Sequence, residues 1–223
     1  MSEVIVRKNV LLALSIVLCI AIIAYVDLVV RPSYWEKTMV KAPLFFLTPL
    51  VFAWWQKETP QWRLLRFNPK GLKLGVWLGV GIYIVVVGTY LLVNTVADLS
   101  GIQASLEQNL GINGDNFLLV GLYVSVVNSF LEEWFFRGFV FTQWKKTSRQ
   151  LAYVVSSFSF AIYHIAIMDG MFSVWVVALV LVGLMAGGTI FNYLNEKSET
   201  IYASWFCHAF ANFAMNTIGF MIF

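Results

Sequence analysis

Six runs of about twenty apolar residues, Val10–Val30, Leu74–Val96, Phe117–Trp144, Leu151–Met168, Val174–Leu194 and Ile201–Phe223, leave this chain few ways to fold. A hydrocarbon layer roughly 30 Å thick is crossed by about 20 helical residues. Inside it every backbone N–H and C=O must be satisfied within the segment, so each run is expected to be a membrane-spanning helix. A shorter run, Ala42–Trp55, can cross, dip in and return, or begin earlier around Tyr34, and is taken here as a span. The expected fold is therefore all-α, a multi-pass integral membrane bundle of about seven transmembrane helices (six to eight) with a polar intramembrane cavity. Composition agrees: 60% of residues are hydrophobic and 12% charged, against about 45–50% and 25% in soluble domains.

The charges argue mostly by position. Lys and Arg number 15 and Asp and Glu 12, and the excess is scattered between apolar runs, so no nucleic-acid-binding patch is expected. Cys19 and Cys207 each lie inside an apolar run and offer no disulfide framework. Arg7-Lys8 before the first run resembles the start of a signal peptide, but the run is too long and lacks a small-x-small cleavage site, so it reads as a retained anchor.

With seven spans, one side holds Arg7, Lys8, Lys57, Arg63, Arg66, Lys70, Lys73, Lys145, Lys146, Arg149 and Lys197, and the other only Arg31, Lys37 and Lys41, with Arg137 inside a span. The positive-inside rule then places the protein in the cell membrane, with the N-terminus cytoplasmic and the C-terminus outside. Lys57–Lys73 mixes basic residues with Trp62, Leu64, Leu65 and Phe67, which suits packing on an anionic lipid surface. Ser100–Asn116 spaces Ile102, Leu106 and Leu110 four apart, as a short amphipathic helix would. Residues 1–223 read as one polytopic domain without internal repeats, and Gly187-Gly188 reads as close helix packing.

In so apolar a chain the informative residues are the polar ones at membrane depth, because each costs about 2.5–3.5 kcal/mol at a helix centre. They form three clusters: Asn128, Glu132, Glu133 and Arg137; Phe160 and His164; and His208 and Asn212. Glu133 and Arg137, four apart, can pair along one helical stripe. Glu132 shares its stripe with Asn128 and has no local cation, so it needs a raised proton affinity or a partner on another helix. Ser204, His208, Asn212 and Asn216 form a stripe that must face protein or water. Counting about 1.5 Å per residue from the cytoplasmic ends, Glu132, His164 and His208 all lie roughly 16–20 Å along their helices, at one level. Such a group suits water activation. A carboxylate or neutral imidazole can act as base and a second imidazole or an amide can stabilise an oxyanion, or the same groups can hold a metal.

The ordered motifs Glu132-Glu133-x-x-x-Arg137, Phe160-x-x-x-His164 and His208-x-x-x-Asn212 resemble the CAAX protease and bacteriocin-processing family (CPBP, or Abi) of intramembrane proteases, which includes the Ras-converting CAAX endoproteases. The resemblance covers 117–223 as a catalytic core, with 1–116 supplying N-terminal spans and loops. It implies hydrolysis of a peptide bond in a membrane-associated protein or peptide. Glu132 and His164 would activate the water and His208 and Asn212 would stabilise the oxyanion, with Glu133, Arg137, Phe160 and Asn128 supporting the site. A zinc ion is the one cofactor to weigh, with Glu132, His164 and His208 as candidate ligands. The chain lacks His-Glu-x-x-His, however, and a metal-free mechanism is preferred. The resemblance also permits a non-proteolytic role, as a bacteriocin immunity factor or a scaffold for a membrane protein partner. A proton-coupled transporter would need a broken-helix repeat that is absent here. The aspartates nearest the spans, Asp27, Asp98, Asp115 and Asp169, lie close to span ends, against a paired-aspartate site, and no Gly-x-Ser-x-Gly elbow is present.

Overall fold

The computed structural model describes residues 3–96 and 101–223, with the Val4 side chain left aside; Asp98 and the Ser100 start of the amphipathic segment lie outside the described residues. The helices are α1 (Glu3–Tyr25, prolonged by a π-helical Val26–Val30), α2 (Tyr34–Trp55), α3 (Pro69–Val93), α4 (Gly101–Leu110), α5 (Phe117–Lys145), α6 (Arg149–Tyr163), α7 (Val174–Ser198) and α8 (Ile201–Ile222). No strand occurs among the described residues. Among the described residues six stretches are long and apolar enough to cross a membrane, namely α1, α2, α3, α5, α7 and Arg149–Met168, which is α6 with the turn that follows it, and the chain is a multi-pass membrane protein. The seventh expected span, α8, has 22 residues and is not among these six.

Ion pairs show which helix ends lie together. Lys8 at the start of α1 and Lys146 beyond α5 both meet Glu58 after α2, at 2.5 and 2.7 Å. Lys145 and Arg149 both meet Glu196 near the end of α7, each at 2.8 Å. At the opposite end Arg31 meets Asp169, at 3.4 Å. The chain has therefore reversed direction between Arg31 and Glu58, and the segment that was ambiguous in sequence runs the length of the bundle as α2. Its start is set by a capping box, in which the Ser33 backbone N–H donates to Glu36 at 2.9 Å. Lys37 and Lys41, counted in sequence among the basic residues of the outer side, are therefore inside this helix and buried, at 4% and 5% exposure.

α5 occupies the centre. Every residue from Leu131 to Phe141 is buried, so this stretch is covered on all sides and needs no polar face. Phe135 stacks on Phe45 of α2 with ring centroids 4.4 Å apart, and Phe136 meets Phe160 of α6 edge to face at 5.3 Å. α8 packs parallel to α3, with Gly75 and Gly79 facing Ala203 and Phe210 in turn, while Gly71 faces Ser198 at the end of α7. A methyl group at Gly75 would overlap the Ala203 carbonyl, so the small-residue spacing is what lets the two backbones approach. Of the Gly187-Gly188 pair, Gly188 makes the close approach, with a Cβ there falling 3.1 Å from Ser157 Cα; a Cβ at Gly187 would meet only a Phe191 ring atom, at 4.0 Å. The expected amphipathic helix is α4, whose Ile102 is buried and whose Leu106 and Leu110 pack against Tyr34, Ile112, Phe117 and Val120.

Candidate active site

The three sequence clusters meet. α5 is α-helical only over Ser129–Glu133 in its middle, with π-helical turns at Val124–Asn128 and Trp134–Phe141 on either side, an irregularity common at functional sites. Glu132 and Glu133 sit in that short α segment, at 2% and 0% exposure. α6 stops at Tyr163 instead of running on to Met168, and a 3-10 turn, Ala166–Met168, follows. His164 is the C-cap residue, and its Nδ1 lies 2.7 Å from the Phe160 carbonyl. A carbonyl only accepts, so Nδ1 carries the proton and the ring caps its own helix end, leaving Nε2 as an acceptor.

That Nε2 faces Glu132 Oε2 at 3.9 Å, and Nε2 of His208 faces the same oxygen at 3.6 Å. The expected common level of Glu132, His164 and His208 is thus an actual convergence of α5, α6 and α8. Behind His208, Nδ1 lies 2.9 Å from Glu133 Oε1, and that oxygen also lies 2.9 Å from Arg137 Nη1. The Glu133–Arg137 pair anticipated from their spacing is therefore present and fully buried. The guanidinium stands over the rings of Phe160 and Phe191, 4.3 and 4.9 Å from their centroids. Phe160 also presents its ring to both imidazoles, edge to face, at 4.8 Å for His164 and 5.5 Å for His208.

Glu132 does have the interhelical partner that the sequence required. Lys41 of α2 places its ammonium 2.6 Å from Oε1 and 2.5 Å from Asn128 Oδ1. Asn128 Nδ2 donates to the same Oε1 at 2.8 Å, as does the Tyr163 hydroxyl at 3.1 Å. Lys41 and Tyr163 were not among the sequence candidates. The signal that would have found Lys41 is the Ser33-x-x-Glu36 capping box, which puts the lysine on the second turn of a membrane helix.

Of the rest of the α8 stripe, Ser204 donates to the Ile201 carbonyl of its own helix at 3.1 Å, and the two asparagines turn to α5. Asn212 donates to the Val124 carbonyl at 3.1 Å, and Asn216 to the Gly121 carbonyl at 3.1 Å and to Ser125 Oγ at 3.0 Å. Asn212 is thus tied by one amide hydrogen to the start of the π-helical turn, about two turns before Glu132.

Glu132, His164 and His208 are donor types that zinc accepts. As arranged they do not fit it: no group of three or more His, Cys, Asp or Glu among the described residues is placed to hold a metal ion, and the Lys41 ammonium on Oε1 of Glu132 already sets a positive charge beside the place a cation would take.

Residues 114–214 match the family described as type II CAAX prenyl endopeptidase Rce1-like. The match takes in Glu132, Glu133, Arg137, Phe160, His164, His208 and Asn212, and so agrees over this stretch with the resemblance to the CAAX proteases drawn from the three motifs. It excludes Lys41 and the rest of α1 to α4. No curated protein and no solved structure matches the chain.

Proposed function

We propose, taking residues 114–214 as an Rce1-like CAAX peptidase unit, that the chain is an intramembrane endopeptidase that hydrolyses a peptide bond of a membrane-associated protein or peptide. The observation that carries this reading is the approach of two imidazole Nε2 atoms, from separate helices, to one oxygen of a buried carboxylate, at 3.9 and 3.6 Å.

A water between these three atoms has one hydrogen directed to Glu132 Oε2 and the other to Nε2 of His164, the ring held as an acceptor by the Phe160 carbonyl. Its lone pair is then free for the scissile carbonyl carbon. As the C–O bond forms, Oε2 takes the proton and the carbonyl π pair moves to oxygen. His208 meets that oxyanion when its ring carries a second proton on Nε2, a charge that the Glu133 carboxylate offsets from 2.9 Å behind. Asn212, one turn further along α8, adds its remaining amide hydrogen. Collapse breaks the C–N bond, and the proton on Glu132 passes to the leaving amine, which restores the carboxylate. Burial matters because donors in a low-dielectric site act more strongly on developing charge than they do in water.

The Glu58 end is proposed to face the cytoplasm. With Lys37 and Lys41 buried, Arg31 alone remains of the three basic residues assigned to the opposite side, which sharpens the charge asymmetry. A membrane-embedded site reached from that face suits a substrate whose C-terminus is held at the membrane by a lipid.

The test compares new protein termini by mass spectrometry in membranes holding wild type, Glu132→Ala or His164→Ala at matched abundance. Termini seen only with wild type are expected and identify the cleaved bond. Full processing by either variant overturns the mechanism. Identical termini throughout, in cells that keep the biological phenotype, would point instead to a membrane interaction protein.

A further inference from the structure

Lys41 has no part in the reaction as set out above and lies outside residues 114–214, yet it is built into the site. Its side chain is 6% exposed, and the ammonium sits over the Tyr163 and Phe45 rings, 4.7 and 5.4 Å from their centroids. A lysine is costly at membrane depth unless it is paired, and the partners here are Glu132 and Asn128. The neighbouring Lys37 is held separately by Asp27, at 2.6 Å, so it does not compete for Glu132.

The two oxygens of Glu132 are not equivalent. Oε1 accepts from Lys41, Asn128 and Tyr163 at 2.6, 2.8 and 3.1 Å, whereas Oε2 is the atom nearest both imidazole Nε2 atoms. Rotating the carboxylate to exchange them would break three hydrogen bonds at once. Lys41 governs the set, because it also fixes the Asn128 amide: with Oδ1 turned to the ammonium, Nδ2 must turn to Glu132. We propose that Lys41 is a positioning residue of this peptidase, which clamps Oε1 so that Oε2 alone takes the proton of the attacking water. The inference rests on the proposed function. It adds to the reaction a residue from α2, a helix outside the matched stretch.

The test uses the full-length protein in proteoliposomes and a peptide spanning the cleavage site found by terminus mapping. Lys41→Met is expected to lower kcat about a hundredfold or more, the scale of a displacement of roughly 1 Å in a reacting group, with KM changed less than about twofold. Lys41→Ala is expected to regain at least about tenfold of its lost kcat in ethylammonium and nothing in ethanol. That rescue would not follow if the lysine only supported the fold. Should Lys41→Met fail to accumulate, Lys41→Gln takes its place, keeping a donor without the charge, and the same loss in kcat is expected. Wild-type kcat in the variant, a loss carried by KM, or a loss that the amine does not relieve overturns the inference. An active wild type with an equally active Lys41→Met overturns it alone. An inactive wild type, or a Glu132→Ala protein that cleaves normally, overturns the proposed function and this inference with it.

Discussion

His208 turns Nδ1 to Glu133, 2.9 Å away, while its Nε2 faces the other glutamate of the pair, Glu132, at 3.6 Å. Two adjacent carboxylates therefore lie at opposite edges of one imidazole: Glu133 sets its tautomer by accepting from Nδ1 and puts a negative charge behind the ring, and Glu132 stands beside Nε2. Glu133→Gln removes that charge and leaves the tautomer free. Cleavage per folded protein is expected to fall by roughly a hundredfold or more, and abundance to fall with it, because Arg137 is left a buried cation without a carboxylate. Single-turnover cleavage at matched protein would show it, and a rate near wild type would remove Glu133 from the support of the oxyanion donor His208.

Arg137 has one carboxylate partner and two ring faces in a site with no exposure. Arg137→Ala leaves Glu133 as a buried charge without a cation, at a cost of about 3–5 kcal/mol. Abundance in the membrane and the unfolding temperature in detergent should both drop. The double variant Glu133→Gln, Arg137→Met should recover much of the stability and none of the activity.

The contact between α3 and α8 depends on the absence of side chains. Gly75→Val drives a side chain into the Ala203 carbonyl, and overpacking of about 1–3 kcal/mol or more is expected. Gly81→Val, on the same helix with nothing within 4 Å, should be tolerated. Thermal unfolding of the two variants side by side separates packing from the helix preference they share, and equal losses would deny the close approach.

Glu58 ties three segments together at one end. Partial burial alone would raise its carboxyl, but hydrogen bonds from Lys146, Lys8 and Gln143 outweigh this and bring it from the ordinary 4.5 down to about 2. A carboxyl depressed in the folded state stabilises fully above its unfolded value and loses that contribution as pH falls through its folded value. The unfolding temperature should therefore decline between about pH 4.5 and 2, and less steeply in Glu58→Gln, when both are scanned in one detergent.

Local pattern determined much of this protein. Apolar run length dictated the helices, because a backbone in hydrocarbon has no other way to satisfy itself. Glu133 and Arg137 were legible as a pair because four residues bring side chains together on any helix. The common level of Glu132, His164 and His208 followed from counting residues along helices of alternating direction. Three things were decided only when the helices packed. Lys41 reached Glu132 from 91 residues away, and in sequence its charge looked like that of a loop at the membrane edge. His164 proved to be a helix cap because α6 ends there, an irregularity that apolar composition does not mark. The division of Glu132 into a bonded oxygen and a free one came from α2, α5 and α6 together. Periodicity reports which face of a helix a residue occupies, whereas its partner across the bundle depends on how the helices pack, and packing joins residues with no fixed spacing along the chain.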